Sequence, residues 1–240
     1  MRTLAILPIK SFGAAKQRLS SMLGNGSRQA LAQAMFLDVL ASLRRVQGID
    51  AVAVVTADGD AETAARRGGV HLLRDPAESG QSTAVRIGIR HALDTGFERV
   101  LLVPGDTPLL EAREIAAMLA RAEADDTGAV IVPDRHGTGT NALLLAPPLA
   151  IDPSFGTDSL ERHRQAAADA GVTHRVEEVG SLMLDVDRPE DLDDLAVILD
   201  ERRGQACMTR GALRQLDRCS AFRDRSSRRL VATAAAGTDR

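Results

Sequence analysis

Short apolar runs alternate with amphipathic segments along the first 200 residues of this chain. This alternation predicts β-strands joined by helices, the pattern of a parallel sheet with crossover connections. The predicted strands are residues 3–9, 51–56, 70–73, 99–103, 129–132, 141–145, 174–178 and 182–186. The predicted helices are residues 27–44, 61–67, 82–93, 111–124, 157–170 and 189–199.

Three of the predicted strands contain nearly continuous apolar runs, which read LAILPI, AVAVV and VLLV. Such runs are typical of strands that are covered by helices on both faces. We therefore expect an α/β fold, a three-layer sandwich around a mostly parallel sheet. The pattern loosens after residue 128, so some of the later strands are expected to be antiparallel and the sheet to be mixed.

Composition narrows the class of protein. The chain has 240 residues, 44% hydrophobic and 26% charged, as in a globular protein of one domain. It contains no apolar run of membrane-spanning length and no leader pattern, so we expect a cytoplasmic protein without a membrane partner. The absence of Trp and Tyr argues against a nucleic-acid partner, because such sites stack bases on aromatic rings. A homodimer is the default expectation.

Charged residues are distributed unevenly along the chain. Residues 202–240 carry ten Arg against three Asp, whereas the net charge of the whole chain is −3. We therefore expect one folded domain at residues 1–202 and a basic, mobile extension at residues 203–240.

The loop after the first predicted strand reads LPIKSFGAAKQRL and concentrates positive charge. Lys10 and Lys16, the two lysines of the chain, lie in it together with Arg18. Lysines supply point charges for phosphate oxygens, Arg18 supplies a planar fork, and Gly13 permits close backbone approach. The loop lacks the P-loop pattern, so it predicts a polyphosphate site of another kind. A solvated basic loop is the alternative.

Carboxylates follow two other predicted strands. Asp106 ends the run LLVPGD, and Asp185 and Asp187 end LMLDVD. Ligands of an open α/β sheet sit beyond the carboxyl ends of its strands, and Mg²⁺ prefers one or two carboxylates plus substrate phosphates. We expect Asp106 and Asp185 to hold Mg²⁺, with Asp187 either a third ligand or the cap of the next helix.

Glycine-rich segments and helix starts suggest anion sites. PDRHGTGTN ends near Thr140, and SFGTDS brings Gly156 and Ser159 to a predicted helix N-terminus, where backbone N–H groups bind phosphate or carboxylate. GQSTAV begins another helix, and its Gly80 and Ser82 are candidates for nucleotide contact. In each case simple helix capping is the alternative.

His136 and His163 are candidate general bases. Each stands alone beside an arginine. Such histidines are more often surface groups, and that is the expectation for both.

Together, the motifs LPIKSFGAAKQRL, VPGDTPLL, DRHGTGTN, SFGTDSLERH and LDVDRPEDL resemble a family of guanylyltransferases. Members of that family activate a small phospho-acid during biosynthesis of the deazaflavin coenzyme F-420. The resemblance runs in order from residue 3 to about residue 200. It implies a nucleotidyltransferase fold of the glycosyltransferase-A-like type, GTP as the donor and Mg²⁺ as the cofactor. The implied acceptor is phosphoenolpyruvate, with 2-phospho-L-lactate or 3-phospho-D-glycerate in other members.

The resemblance implies a role for each residue at a position that matches a family motif. The resemblance implies that Thr140, Gly156 and Ser159 bind the phospho-acid and that Asp106 and Asp185 hold Mg²⁺. Lys10, Lys16 and Arg18 would face the GTP phosphates. Two alternatives stay open: a cytidylyltransferase of the molybdopterin type, which GQSTAVRIGI resembles, and a non-catalytic nucleotide-binding regulator.

Overall fold

Alternate residues of the first strand, β1 (Thr3–Ile9), face two different layers of helices. Ala5 and Leu7 are buried in one apolar cluster, and Leu4 and Ile6 are buried in another on the opposite face of the sheet. Because successive side chains of a strand point to opposite faces, a strand buried on both sides must be apolar throughout. The structure, a computed structural model, describes residues 1–76 and 80–216.

Strands and helices alternate along the chain. The remaining strands are β2 (Ala51–Thr56), β3 (His71–Arg74), β4 (Arg99–Leu102), β5 (Ala129–Pro133), β6 (Thr140–Leu145) and β7 (His174–Val176). The helices are α1 (Asn25–Leu43), α2 (Gly59–Gly68), α3 (Gln81–Asp94), α4 (Ala112–Ala124), α5 (Ser159–Asp169) and α6 (Pro189–Glu201). These bounds agree with the predicted elements to within a few residues, apart from the segment at 182–186.

The seven strands form one mixed sheet in the order β3-β2-β1-β4-β6-β5-β7. Strand β6 pairs antiparallel with both β4 and β5, whereas the other described pairs are parallel. The expectation of antiparallel pairing after residue 128 is therefore confirmed. Because β1, β2, β3 and β4 are parallel, the loops that follow them meet at one edge of the sheet.

Helices cover both faces, which confirms the three-layer α/β sandwich. Helices α1, α2 and α4 pack on one face, and α3 and α5 pack on the other. Helix α3 lies very close to the sheet at Gly88, where a Cβ atom would stand 2.5 Å from Ile6 Cγ2. A third apolar cluster joins α6 to α1 near the loops at the carboxyl edge.

The predicted strand at residues 182–186 is wrong. A single 3₁₀ turn, Gly180–Leu182, is followed by irregular backbone. Leu184 and Val186 are nevertheless buried, against the cluster that contains α6. Their alternation reflects packing at this cluster rather than pairing in the sheet, and periodicity alone cannot separate these two causes.

Within the segment at residues 203–240, which is expected to be a basic, mobile extension, residues 207–216 are helical. The Asp38 carboxylate of α1 accepts hydrogen bonds from the backbone N–H groups of Met208 and Thr209 and from the Thr209 hydroxyl, at 2.7–3.1 Å. Thr209 is fully buried. Asp38 therefore caps this helix from a distant part of the chain. Residues 217–240 of the predicted extension lie outside the described residues.

None of the helices that the structure describes is both long enough and apolar enough to cross a membrane.

Candidate active site

Two adjoining cavities open at the carboxyl edge of the sheet. The first has a volume of about 410 Å³ and lies against the loop after β1 and the start of α3. The second has a volume of about 470 Å³ and lies against the loops after β5 and before α5. The residues that border both are Arg18, Gln81, Pro104, Asp106 and Asp187. A molecule in one cavity would therefore meet a molecule in the other at Asp106 and Asp187.

Lys16 lies at this shared wall and bridges two carboxylates. Its Nζ atom is 2.5 Å from Asp106 Oδ2 and 2.9 Å from Asp187 Oδ1, and its side chain is only 7% exposed. Burial lowers the pKa of Lys16, but attraction to the two carboxylates outweighs burial and raises the pKa overall. The lysine is therefore a fixed positive charge. Its backbone is left-handed, with φ at 54°, a conformation that costs a non-glycine residue free energy.

The Asp106 loop is held tightly against neighbouring strands. A Cβ atom on Gly105 would stand 2.3 Å from Ile9 Cδ1, so the close approach of this loop to β1 depends on glycine. The Val186 N–H donates to the Asp106 carbonyl at 3.1 Å, which joins the two acidic segments. Asp106 Oδ1 is buried and has no hydrogen-bond partner in the part of the chain that the structure describes.

Asp185 lies beside Asp106. Burial, followed by the nearby charge of Asp106, raises the pKa of Asp185 to about 6. The Asn141 side chain, on β6, donates to Asp185 Oδ1 at 3.2 Å and to the carbonyls of Leu182 and Met183. Asn141 thus fixes the irregular segment that carries Asp185. The negative charges of two neighbouring carboxylates repel each other, so a nearby cation would stabilise the pair.

Asp187 pairs with cations rather than capping a helix through its side chain. Its Oδ1 accepts from Lys16, and its Oδ2 is 3.4 Å from Arg18 Nη1. Burial raises the pKa of Asp187, but Lys16 and then Arg18 oppose this, and the pKa is lowered overall. The cap of α6 comes from Asp191, whose Oδ2 accepts from the backbone N–H groups of Asp187 and Arg188.

These residues fit a Mg²⁺ ion that also binds substrate. Among the described residues, no group of three or more His, Cys, Asp or Glu side chains is arranged to hold a metal ion. Mg²⁺ does not require such a cage, because it is usually held by one or two carboxylates, waters and substrate phosphates. Asp106 Oδ1 has no hydrogen-bond partner among the described residues, and the pKa of Asp185 is raised, so this pair is the candidate for the ligands.

The second cavity brings together the residues expected to bind the phospho-acid. Thr140, Gly156 and Ser159 all border it. Gly156 has a φ of 114°, which is accessible to glycine, and its carbonyl accepts from the Ser159 N–H at 3.1 Å. Ser159 is the first residue of α5, at the end of the helix where backbone N–H groups favour anions.

His163 lies behind Thr140, and the expectation of a surface histidine is wrong. Its ring is fully buried; Nε2 accepts from the Ser154 N–H, and Nδ1 is 2.9 Å from the Thr140 hydroxyl. Since Nε2 accepts, the neutral ring carries its proton on Nδ1 and donates it to Thr140. Burial, then Arg162, lowers the pKa of His163 to about 4. The Thr140 hydroxyl is left with its own proton to donate. His136, in contrast, is exposed as expected.

Four further residues predicted to contact nucleotide divide into two pairs. Lys10 and Gly80 border the first cavity. Gly13 and Ser82 border neither cavity. The Ser82 hydroxyl instead accepts from the Phe155 N–H at 3.2 Å, which joins α3 to the loop before α5. Ser82 therefore supports the loop before α5, and its contact with nucleotide stays a prediction.

Sequence reasoning missed three residues at this edge. Gln81 borders both cavities, Asn141 holds the Asp185 segment, and Asp75 borders the first cavity with its carboxylate buried. Asn141 could have been predicted from the sequence, because it is an amide at the start of the apolar run ALLL. Asp75 follows a short, weak strand, and no sequence pattern marks it as a site residue.

Comparison with solved structures identifies the fold. A candidate nucleotide-diphospho-sugar transferase from Desulfovibrio desulfuricans G20 matches with a TM-score of 0.69 at 18% identity, covering 90% of this chain and 96% of that one. A cytidylyltransferase from Leptospira borgpetersenii matches with a TM-score of 0.57 at 12% identity, covering 92% and 96%. At these identities the likeness shows the fold alone, and it confirms the expected nucleotidyltransferase architecture.

Comparison with relatives identifies the family. The chain is 50% identical over 216 residues to a phosphoenolpyruvate guanylyltransferase of Conexibacter woesei, covering 90% of this chain and 97% of the relative. It is 33% identical over 219 residues to a 2-phospho-L-lactate guanylyltransferase of Methanothermobacter thermautotrophicus, covering 90% and 92%. The family model described as "Guanylyl transferase CofC like" matches residues 3–234 and so includes most of the C-terminal segment. With the site and fold described above, these matches show that the chain belongs to the CofC-like guanylyl transferase family.

Proposed function

We propose that this chain transfers GMP from GTP to the phosphate of a three-carbon phospho-acid and releases pyrophosphate. Phosphoenolpyruvate is the preferred acceptor in this proposal, because the relative at 50% identity carries that name. Relatives at 33–34% identity carry the names of 2-phospho-L-lactate and 3-phospho-D-glycerate enzymes. The reaction belongs to coenzyme F-420 biosynthesis, and its metabolite substrates support a cytoplasmic location.

The observation that carries the proposal is the pair of cavities that share Asp106 and Asp187 as a wall. The basic loop borders the first cavity, which suits a nucleoside triphosphate. The N-terminus of α5, which we propose attracts an anion, borders the second cavity, which suits a small phospho-acid. Two substrates held in this way meet at the wall where Lys16 lies.

The chemistry requires no protein nucleophile. An oxygen of the acceptor phosphate attacks the α-phosphorus of GTP, one P–O bond forms, and the bond to the β-phosphate breaks with its electron pair leaving on pyrophosphate. Catalysis then consists of aligning two anions and neutralising their charge. When bound, Mg²⁺ would stabilise the charge on the transferring and leaving phosphates. Asp106 and Asp185 would hold it, and Asp187 would keep Lys16 and Arg18 facing the phosphates.

On the acceptor side, the Thr140 hydroxyl and Ser159 at the N-terminus of α5 would bind the phospho-acid. The proton on His163 Nδ1 fixes Thr140 as a donor toward the cavity. Gly156 leaves room because it lacks a side chain. A phosphate monoester is already an anion near neutral pH, so the acceptor needs no general base.

The test is pyrophosphate release by purified protein with Mg²⁺, crossing GTP, CTP and ATP with the three phospho-acids. We expect release with GTP and phosphoenolpyruvate, and mass spectrometry should detect the guanylylated product. Release with CTP alone would replace this proposal with cytidylyl transfer. Thermal stabilisation by GTP without product from any acceptor would indicate a nucleotide-binding regulator. Light scattering would test the proposed homodimer.

A further inference from the structure

One carboxylate oxygen of Asp75, at the far end of the first cavity, has no hydrogen-bond partner among the described residues. The residue is 5% exposed, borders the cavity and follows strand β3. Its Oδ1 atom is buried without a hydrogen-bond partner among residues 1–76 and 80–216. The neighbouring Arg74 is 3.4 Å from Glu62, so its charge is directed to another residue. A buried carboxylate oxygen without a donor is costly, and a ligand that supplied one would recover that free energy.

The position of Asp75 is set by strand pairing. Its backbone N–H donates to the Thr56 carbonyl at 3.1 Å, which places it beside the end of β2. From there the sheet order runs through β2 and β1 to β4, which leads into Asp106. Three strand spacings correspond to about 14 Å between the ends of β3 and β4. Asp75 is therefore remote from the wall where the phosphates react and lies where the opposite end of a nucleotide extends.

The cavity between these two ends suits a flat ring. Phe12 and Ala84 border it as buried apolar side chains, and the Phe12 N–H is fixed by Asp58 Oδ2 at 2.9 Å. Gly80 borders it with a φ of 113° and no side chain. Apolar walls with a small number of placed polar groups are the usual construction of a pocket that binds a flat ligand.

The chemistry of a carboxylate selects among the common bases. An ionised Asp accepts hydrogen bonds and donates none. Guanine alone among the common bases presents two adjacent donors, N1–H and the 2-amino group, whereas adenine and cytosine place an acceptor beside their amino group. We propose that Asp75 is the residue that specifies guanine, by accepting hydrogen bonds from N1–H and the 2-amino group. This inference rests on the proposed use of a nucleoside triphosphate by this site.

The test is a change of base specificity. Asp75→Asn replaces one of the two acceptors with an amide donor. The amide then complements N1–H and the C2 carbonyl of xanthine, whereas the carboxylate complements the two donors of guanine. We expect kcat/KM with GTP to fall by about 100-fold and kcat/KM with xanthosine triphosphate to rise above that of the wild type. The matched control is Asp60→Asn, on the exposed first turn of α2, which should leave both values unchanged.

A variant that keeps its preference for GTP and gains nothing with xanthosine triphosphate would overturn the proposal. If Asp75→Asn does not fold, the wild type still decides the question with inosine triphosphate, which lacks the 2-amino group. We expect this nucleotide to bind about tenfold more weakly than GTP, and equal affinities would overturn the proposal. Binding of these nucleotides is measured by thermal shift. Failure of the wild type to turn over GTP, with selective binding intact, would contradict guanylyl transfer and leave base recognition by Asp75 supported.

Discussion

The ammonium group of Lys16 lies 2.5 Å from a carboxylate oxygen of Asp106, although the two residues are 90 positions apart in the chain. The contact joins the basic loop after β1 to the acidic loop after β4. Because Lys16 also contacts Asp187, one cation bridges two carboxylates at this edge of the sheet. It keeps a positive charge at the wall between the cavities before any substrate binds.

Replacing Lys16 with Met should therefore affect catalysis more than substrate binding. We expect kcat to fall by about 100-fold or more, because the variant removes the charge that we propose stabilises the transferring phosphate. Steady-state kinetics with saturating GTP and phosphoenolpyruvate measure this. Arg44→Met, an exposed change after α1, is the control. A wild-type kcat in Lys16→Met would exclude this lysine from the reaction.

Asp106→Asn should nearly abolish turnover while the protein remains folded. Asn keeps the shape of the side chain but removes the charge on Oδ1 that we assign to Mg²⁺. We expect a loss of about 100- to 1,000-fold in kcat and a large rise in the Mg²⁺ concentration needed for half-maximal activity. Circular dichroism checks the fold. Normal activity with an unchanged Mg²⁺ requirement would contradict the metal assignment.

Ser159→Ala should raise the KM of the acceptor more than it lowers kcat. Ser159 borders the second cavity, and its hydroxyl is expected to contact the bound phospho-acid before and during the reaction alike. Ser20→Ala, at an exposed position, serves as the control. An acceptor KM equal to that of the wild type would remove Ser159 from the binding site, and a change confined to the KM of GTP would move it to the other cavity.

His163 should make folding sensitive to acid. Its pKa is lowered from 6.5 to about 4 in the folded protein, so the unfolded chain binds the proton more readily. The contribution of the neutral ring to the free energy of unfolding is fully present above pH 6.5 and is lost as the pH falls toward 4. The loss is roughly 3 kcal/mol. Urea unfolding between pH 7 and 4 should show a shallower decline in His163→Gln, and parallel declines would refute this assignment.

Asp38→Ala should loosen the helix at residues 207–216. The variant removes the carboxylate that caps Met208 and Thr209, and loss of such a cap costs about 1–2 kcal/mol. We expect faster limited proteolysis within residues 203–216 and a lower melting temperature. Asp60→Ala is the control for a carboxylate on an exposed helix turn. Equal cleavage rates for the two variants would show that the helix is held by other contacts.

The sequence alone determined the elements and most of the chemistry at the loops. Apolar runs in β1, β2 and β4 are dictated by burial on both faces, so their length and order were readable as local patterns. Charge concentrated at Lys10, Lys16 and Asp106 was readable because strand ends in such sheets face ligands. The order of the motifs also identified the family, because a series of local patterns is recognisable without any knowledge of contacts.

Tertiary structure decided what depends on residues that are distant in the chain. The partners of Lys16, the support of Thr140 by His163, and the docking of residues 207–216 on Asp38 each join separate elements. Burial changes what a residue does: it makes His163, an expected surface group, a neutral donor, and it leaves Asp75 Oδ1 without a hydrogen-bond partner among the residues that the structure describes. A sequence pattern records which groups are present, whereas their pKa values and partners depend on desolvation and on distances that only folding sets.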